Sequence, residues 1–95
     1  MAFIRFTPAA LEDLERLVEF LREQDTEGAA ATAPLIFKGI GLLQEHPLVG
    51  RPIDDFRREL VIHRGRSGYL AQYHFDAKRD EIVILALRHQ RELGE

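Results

Sequence analysis

Two stretches decide how this chain folds: RSGYLAQYHF (Arg66 to Phe75) and EIVILALRHQRE (Glu81 to Glu92), separated by a short polar break. Both read as strands, and the break is hairpin length. Alternation puts Tyr69, Ala71, Tyr73 and Phe75 on one face of the first, with Leu70, Gln72 and His74 on the other. In the second, Val83, Leu85 and Leu87 are predicted to oppose Ile82, Ile84 and Ala86, so both faces are apolar. Such a strand is central in its sheet or has its second face covered. A partner chain and the loop Leu48 to Phe56 are the two covers the sequence offers. The strand runs out into a basic, histidine-containing end, RHQRE.

Working outward, Arg58 to His63 forms a preceding strand, joined through Arg64-Gly65-Arg66. Leu48 to Phe56 is rich in turn residues and reads as a loop. AFIRF (Ala2 to Phe6) is a short alternating strand. Thr7-Pro8 is a hydroxyl cap followed by proline at the first helical position. From there Leu11, Leu14, Leu17, Val18 and Leu21 recur at helical spacing, with Glu12, Glu15, Glu19 and Glu23 as a solvated acidic face. Glu12 and Arg16 are spaced for an i,i+4 pair. A second helix follows the break at Gln24 to Gly28, turning Ala30, Ala33, Ile36, Phe37, Ile40 and Leu43 inward. Pro34 kinks it or marks its effective start, and Gly39 and Gly41 imply tight packing against a neighbour. His46-Pro47 ends it. The order is β-α-α-β-β-β, an α+β fold with two N-terminal helices packed on a mostly antiparallel sheet. Residues 1–95 are read as a single domain.

Composition narrows the function. With no cysteine there is neither a disulfide framework nor a thiolate metal site. No apolar run approaches the roughly 20 residues that span a bilayer, and MAFIRFTPAA lacks a signal peptide's apolar region, so the expected compartment is the cytoplasm with no membrane partner. Net charge is −3. Residues 1–50 carry four basic side chains against eight acidic, and residues 51–95 nine against eight. Proteins that live on nucleic acid carry a strong positive excess. Direct sequence-specific nucleic-acid binding by this chain alone is therefore not expected, and an anionic target would have to meet a local patch.

The meander supplies one. The end of its first strand, the start of the next and the end of the last fall at the same edge of the sheet. His63, Arg64, Arg66, Tyr69, Arg88, His89 and Arg91 thus converge from separate segments, with Glu92 and Glu95 close behind. His63 and His89 are the candidate acid–base pair, and no strand carboxylate clearly joins them. Ser67 lacks a nucleophile-elbow context. His46, His63, His74 and His89 have no metal-ligand spacing. Gly39-Ile40-Gly41 lies within a helical pattern rather than after a strand, so it is no phosphate loop. Neither a metal nor any other cofactor is called for.

The ordered set of motifs resembles the RelE/ParE superfamily of type II toxin–antitoxin toxins. The carriers are T-P-A-A-L-E-D-L after the first strand, L-x-x-H-P then G-R-P, R-E-L-V-I-H, S-G-Y-x-x-x-Y, and I-V-I-L-A-L-R-H-Q-R-E. Each is weak alone, and together they span nearly the whole chain.

The resemblance implies two alternatives. RelE-like members cleave messenger RNA on the ribosome with lysines before the S-G-Y turn, an arginine after its tyrosine, an arginine past the last strand and a tail tyrosine. Here the lysine positions hold Val61 and His63, the first arginine is Leu70, only Arg91 matches, and no tail tyrosine occurs up to Glu95. A nuclease would have to use His63, His89 and Arg91. ParE-like members lack that constellation and poison DNA gyrase by trapping its cleaved-DNA complex. The similarity to that branch implies a binding toxin rather than an enzyme. It implies target contacts at Arg64, Arg66, Arg88, His89 and Arg91. It also implies a ParD-like cognate antitoxin, laid along helices and sheet at Leu14, Leu21, Leu85 and Leu87, in a toxin–antitoxin hetero-oligomer. A toxin-derived domain kept only as a binding partner is the third reading.

Overall fold

The structure, a computed structural model, describes residues 1–23, 26–64 and 67–90, with side chains for all of these but 26–29, 64 and 67. The element order is β1 (Phe3–Phe6), α1 (Pro8–Arg22), α2 (Thr26–Gly41), a 3-10 turn (Leu42–Gln44), β2 (Arg51–Pro52), β3 (Arg58–Arg64), β4 (Ser67–Asp76) and β5 (Glu81–His89). The strands form one sheet in the order β1-β5-β4-β3-β2, antiparallel except for the parallel β1–β5 pair. This is the α+β architecture read from the sequence, with one addition. The loop between α2 and β3 contributes a two-residue strand, β2, on Arg58 and Glu59.

Local chemistry sets α1. The Thr7 hydroxyl accepts from the Ala10 N–H (3.1 Å), and proline occupies the first turn. Ala10, Leu17 and Leu21 pack inward, whereas Leu11 is exposed and Leu14 half-buried. From α2, Ile36 and Ile40 join them with Leu43 of the 3-10 turn. Two residues predicted to face inward on α2 do not: Ala30 and Phe37 are exposed, although the Phe37 ring meets Phe6 edge-on at 5.7 Å. Thr32 takes the inward position instead, fully buried, its hydroxyl 3.3 Å from the Tyr69 hydroxyl. Pro34 lies within the helix. Gly39 is where α2 presses on the sheet: a Cβ there would sit 2.8 Å from the Ile62 side chain. Gly41 has open space around it, so packing does not account for that glycine.

On the sheet, Tyr69, Ala71 and Tyr73 are buried under the helices as their alternation requires, with Phe75 packed against the same core. The Tyr73 hydroxyl donates to the Pro47 carbonyl (2.8 Å) and accepts from the Gly50 N–H (2.9 Å), fixing the start of the loop that leads into β2.

β5 departs from simple alternation. Tyr73 pairs with Ile84 but Gln72 pairs with Ala86, so Leu85 is an extra residue, a β-bulge. Past the bulge the strand changes phase. Ile82, Ile84, Leu87 and His89 face the helices, while Arg88, in register with Leu70, faces away. The predicted pairing of Leu85 with Leu87 on one face is thereby overturned. The doubly apolar character of Ile82–Ile84 follows from position, since β1 and β4 flank β5 there. The loop that was a candidate cover reaches β4 instead: Phe56 stacks on His74 at 3.9 Å and Arg57 donates to Gln72.

Candidate functional site: a rim shared by three strands

The register brings the meander's ends together as the sequence implied. His63 pairs with Gly68, Arg64 with Ser67, Ile62 with Tyr69, and Tyr69 with His89. Of the predicted target-binding residues, Arg66 and Arg91 lie outside the described residues, as do Glu92 and Glu95, and Arg64 is described in its backbone only. Arg88, His89 and His63 are placed.

His63 and His89 share the rim but not a face. His89 aligns with Tyr69 and Ile62 on the helix side and is 1 % exposed, its ring edge-on to Tyr69 at 5.1 Å and near Phe20 at 6.0 Å. His63 is exposed, aligned with Gly68 on the opposite side, where the Gln90 side chain leaves no room for a Cβ. The sheet thickness separates the two imidazoles, so they form no acid–base pair around one reacting centre. His89 is a core side chain rather than a surface contact.

Arg88 has a partner that the sequence reading missed. Asp13, 7 % exposed on the inner face of α1, forms ion pairs with both Arg16 and Arg88. Its carboxylate also accepts the Leu87 N–H at 2.9 Å, while Arg16 and Arg88 donate to the Leu87 carbonyl at 3.3 and 2.8 Å. β1 pairs with β5 only as far as Ile84. Beyond that point side chains of α1 take the place of a neighbouring strand, meeting both backbone groups of Leu87 and sealing the edge. Thr7 extends the seal by donating to the Ile84 carbonyl. Burial pushes the Asp13 pKa upward, but the hydrogen bonds from Arg16, Leu87 and Arg88 outweigh it and hold the carboxyl below its ordinary value. One signal could have found this residue. Asp13 falls in register with Ala10, Leu17 and Leu21, and an acid on an apolar stripe is buried only when paired.

The predicted antitoxin contacts divide. Leu87 (1 % exposed) and Leu21 are core residues, so neither offers a surface to a partner. Leu85 at the bulge and Leu14 on α1 are half-buried. Leu14, with Val18 and Ala33, floors a groove of about 420 Å³ between the helices, edged by Glu15, Glu19 and Arg22. A second hollow of about 310 Å³ lies where α2 meets β3, lined by Leu35, Leu42, Leu60 and Val61 with Lys38 and His63 at its margin. β2 pairs only with Arg58 and Glu59, so the rest of β3 borders this hollow as an open edge among the described residues. Among the described residues no group of three histidine, cysteine or acidic side chains is arranged for a metal, and no helix is long and apolar enough to cross a membrane.

Comparison with known proteins agrees with this fold. Residues 4–94 match the family described as ParE toxin of type II toxin–antitoxin system, parDE. Toxin RelE3 of Caulobacter vibrioides is 30 % identical over 92 residues, 97 % of this chain and 98 % of the relative. Toxin RelE1 of the same organism is 36 % identical over 64 residues, 67 % and 69 % of the two chains. Among solved structures, a chain of the chromosomal ParDE system from P. aeruginosa superposes with a TM-score of 0.77 at 22 % identity, covering 94 % of this chain and 96 % of that one. A chain of the RelBE2 toxin–antitoxin complex of Mycobacterium tuberculosis gives 0.58 at 29 % identity, covering 93 % and 96 %. The family match and the full-length relative make the chain a small toxin of the RelE/ParE superfamily. Within it, the chain belongs to the ParE toxin family of type II toxin–antitoxin systems.

Proposed function

We propose that this toxin acts by binding, holding DNA gyrase at the stage where DNA is cleaved, and that a ParD-like cognate antitoxin neutralises it. The observation that carries the choice of binding over cleavage is the placement of the two histidines. His63 is exposed on one side of the sheet and His89 is buried on the other. With Val61 and Leu70 at two positions where RelE-like nucleases carry basic residues, the described rim lacks the side chains for general acid–base cleavage of RNA. What remains there is suited to contact: Arg88 held at the strand edge, His63 exposed, and the further arginines Arg64, Arg66 and Arg91 in the adjoining sequence.

For the antitoxin, the groove floored by Leu14, Val18 and Ala33 suits an apolar helix face, and its acidic margin favours basic flanks on that helix. The open β3 edge beside the hollow at Leu60 and Val61 suits an extended segment. Leu85, half-buried at the bulge, is a third point of contact. The RelBE2 and ParDE relatives come from two-component systems of this kind.

The test is a supercoiling assay with purified gyrase and plasmid beside a translation reaction on ribosomes. Loss of supercoiling with accumulation of cleaved plasmid, suppressed by the antitoxin, supports the reading. Cleavage of messenger RNA on the ribosome, with gyrase unaffected, would replace it with the nuclease alternative.

A further inference from the structure

Two independent features act on Arg88. The first is the bulge at Leu85. A regular ladder continued from Ile84 would put Ala86 and Arg88 on the helix side and expose Leu87 and His89. The extra residue reverses this, burying Leu87 and His89 and turning Arg88 toward the helix-free side, in register with Leu70 and Val61. Bulges recur where a side chain is re-aimed near a functional surface. The second is Asp13, a buried carboxylate reaching from a different element to the same guanidinium. Arg88 Nη1 carries both the Asp13 contact and the bond to the Leu87 carbonyl, and 40 % of the side chain stays exposed. A flexible arginine is thus held in one orientation before any partner arrives, which removes much of the ordering cost of binding.

We infer that Asp13 is a positioning residue for target engagement, holding at the half-exposed edge of β5 the guanidinium of Arg88, whose strand position the Leu85 bulge sets. The inference rests on the proposal that the toxin works by holding a target at this rim. The plain structural alternative is that Asp13 only fastens α1 to β5. Arg16 separates the two, because it belongs to the same fastening, pairing with Asp13 and donating to the Leu87 carbonyl, but is not the acceptor that holds Arg88.

The experiment uses inducible expression of the full chain in bacteria, with growth inhibition read against inducer concentration. Thermal midpoints and antitoxin binding are measured on the same variants, purified from their antitoxin complexes. Asp13→Asn keeps an acceptor for the Leu87 N–H but loses the charge. It is expected to need at least tenfold more inducer for the same inhibition while still binding antitoxin. Asp13→Glu should regain part of that loss, and Arg16→Ala should stay toxic. Asp13→Asn combined with Arg88→Ala should be no weaker than Arg88→Ala alone, since both act through one guanidinium. Full toxicity of Asp13→Asn would overturn the inference. So would an Arg16→Ala variant that loses toxicity as steeply as Asp13→Asn, or a double variant markedly weaker than Arg88→Ala. If Asp13→Asn fails to fold, the comparison of Asp13→Glu with Arg16→Ala decides by the same criterion. A wild-type chain that stops growth without affecting gyrase overturns the gyrase reading and leaves this test intact, whereas a harmless wild-type chain overturns both.

Discussion

Replacing Asp13 with alanine removes the acceptor for the Leu87 N–H and the counter-charge for two arginines, and the structure allows the cost to be worked out. The Leu87 N–H is buried, and stranding such a donor costs about 1–3 kcal/mol. Arg16 and Arg88 are 44 % and 40 % exposed and can rehydrate, so each lost pair adds only about 0–1 kcal/mol. These add to about 1–5 kcal/mol, and a central value of about 2–3 kcal/mol corresponds to a drop of about 10–20 °C in midpoint for a domain of this size. The pH dependence has a definite sign. The folded-state pKa of Asp13 lies below its ordinary value, so the contribution of its charge is complete above the unfolded value, about 3.9, and is lost as pH falls through the lower folded value. Thermal melts of wild type and Asp13→Ala from pH 7 down to pH 2.5 should therefore show a gap that is constant near neutrality and narrows in acid by the part the charge contributes, a protonated carboxyl still accepting the Leu87 N–H. A midpoint shift under about 2 °C at pH 7 would refute the edge-seal account, being far below the shift its energetics require. A gap that persists unchanged to pH 2.5 would show that the charge is not what matters.

Tyr73→Phe strands the Gly50 N–H and the Pro47 carbonyl without changing core volume, and urea denaturation should show a loss of about 1–3 kcal/mol. Gly39→Ala drives a methyl into Ile62 and should cost about 1–3 kcal/mol. Gly41→Ala meets nothing and should stabilise by up to about 1 kcal/mol, so melting shifts of opposite sign, the larger at Gly39, would be the check on the packing of α2. Leu87→Asp puts an unpaired charge in the core and should abolish soluble expression, whereas Leu85→Asp at the half-buried bulge should fold with native circular dichroism and report on antitoxin affinity by calorimetry.

These variants also mark where the sequence was legible. The cap at Thr7-Pro8, the burial of Tyr69, Ala71 and Tyr73, and the convergence of His63, Tyr69 and His89 at one rim follow from local chemistry and short connections. The bulge does not. In Ile82-Val83-Ile84-Leu85-Ala86-Leu87 either phase buries apolar side chains, so periodicity could not tell which of Leu85 and Leu87 enters the core. The same phase change separated His63 from His89, a pair that sequence position alone made plausible. β2 was too short to register as a pattern, and the parallel pairing of β1 with β5 is a long-range choice that no local signal encodes. Asp13 was visible in principle. It stands between Glu12 and Glu15 of the solvated acidic face, and the reading of that face left it unassigned.

The central claim is that the rim holds a protein target and does not cut RNA. Purified toxin, incubated with gyrase, ATP and relaxed plasmid, tests it most directly. The account predicts linearised plasmid after denaturation of the enzyme, in amounts that rise with toxin and vanish when antitoxin is added. Undisturbed supercoiling, together with toxin-dependent cuts in messenger RNA on translating ribosomes, would contradict it.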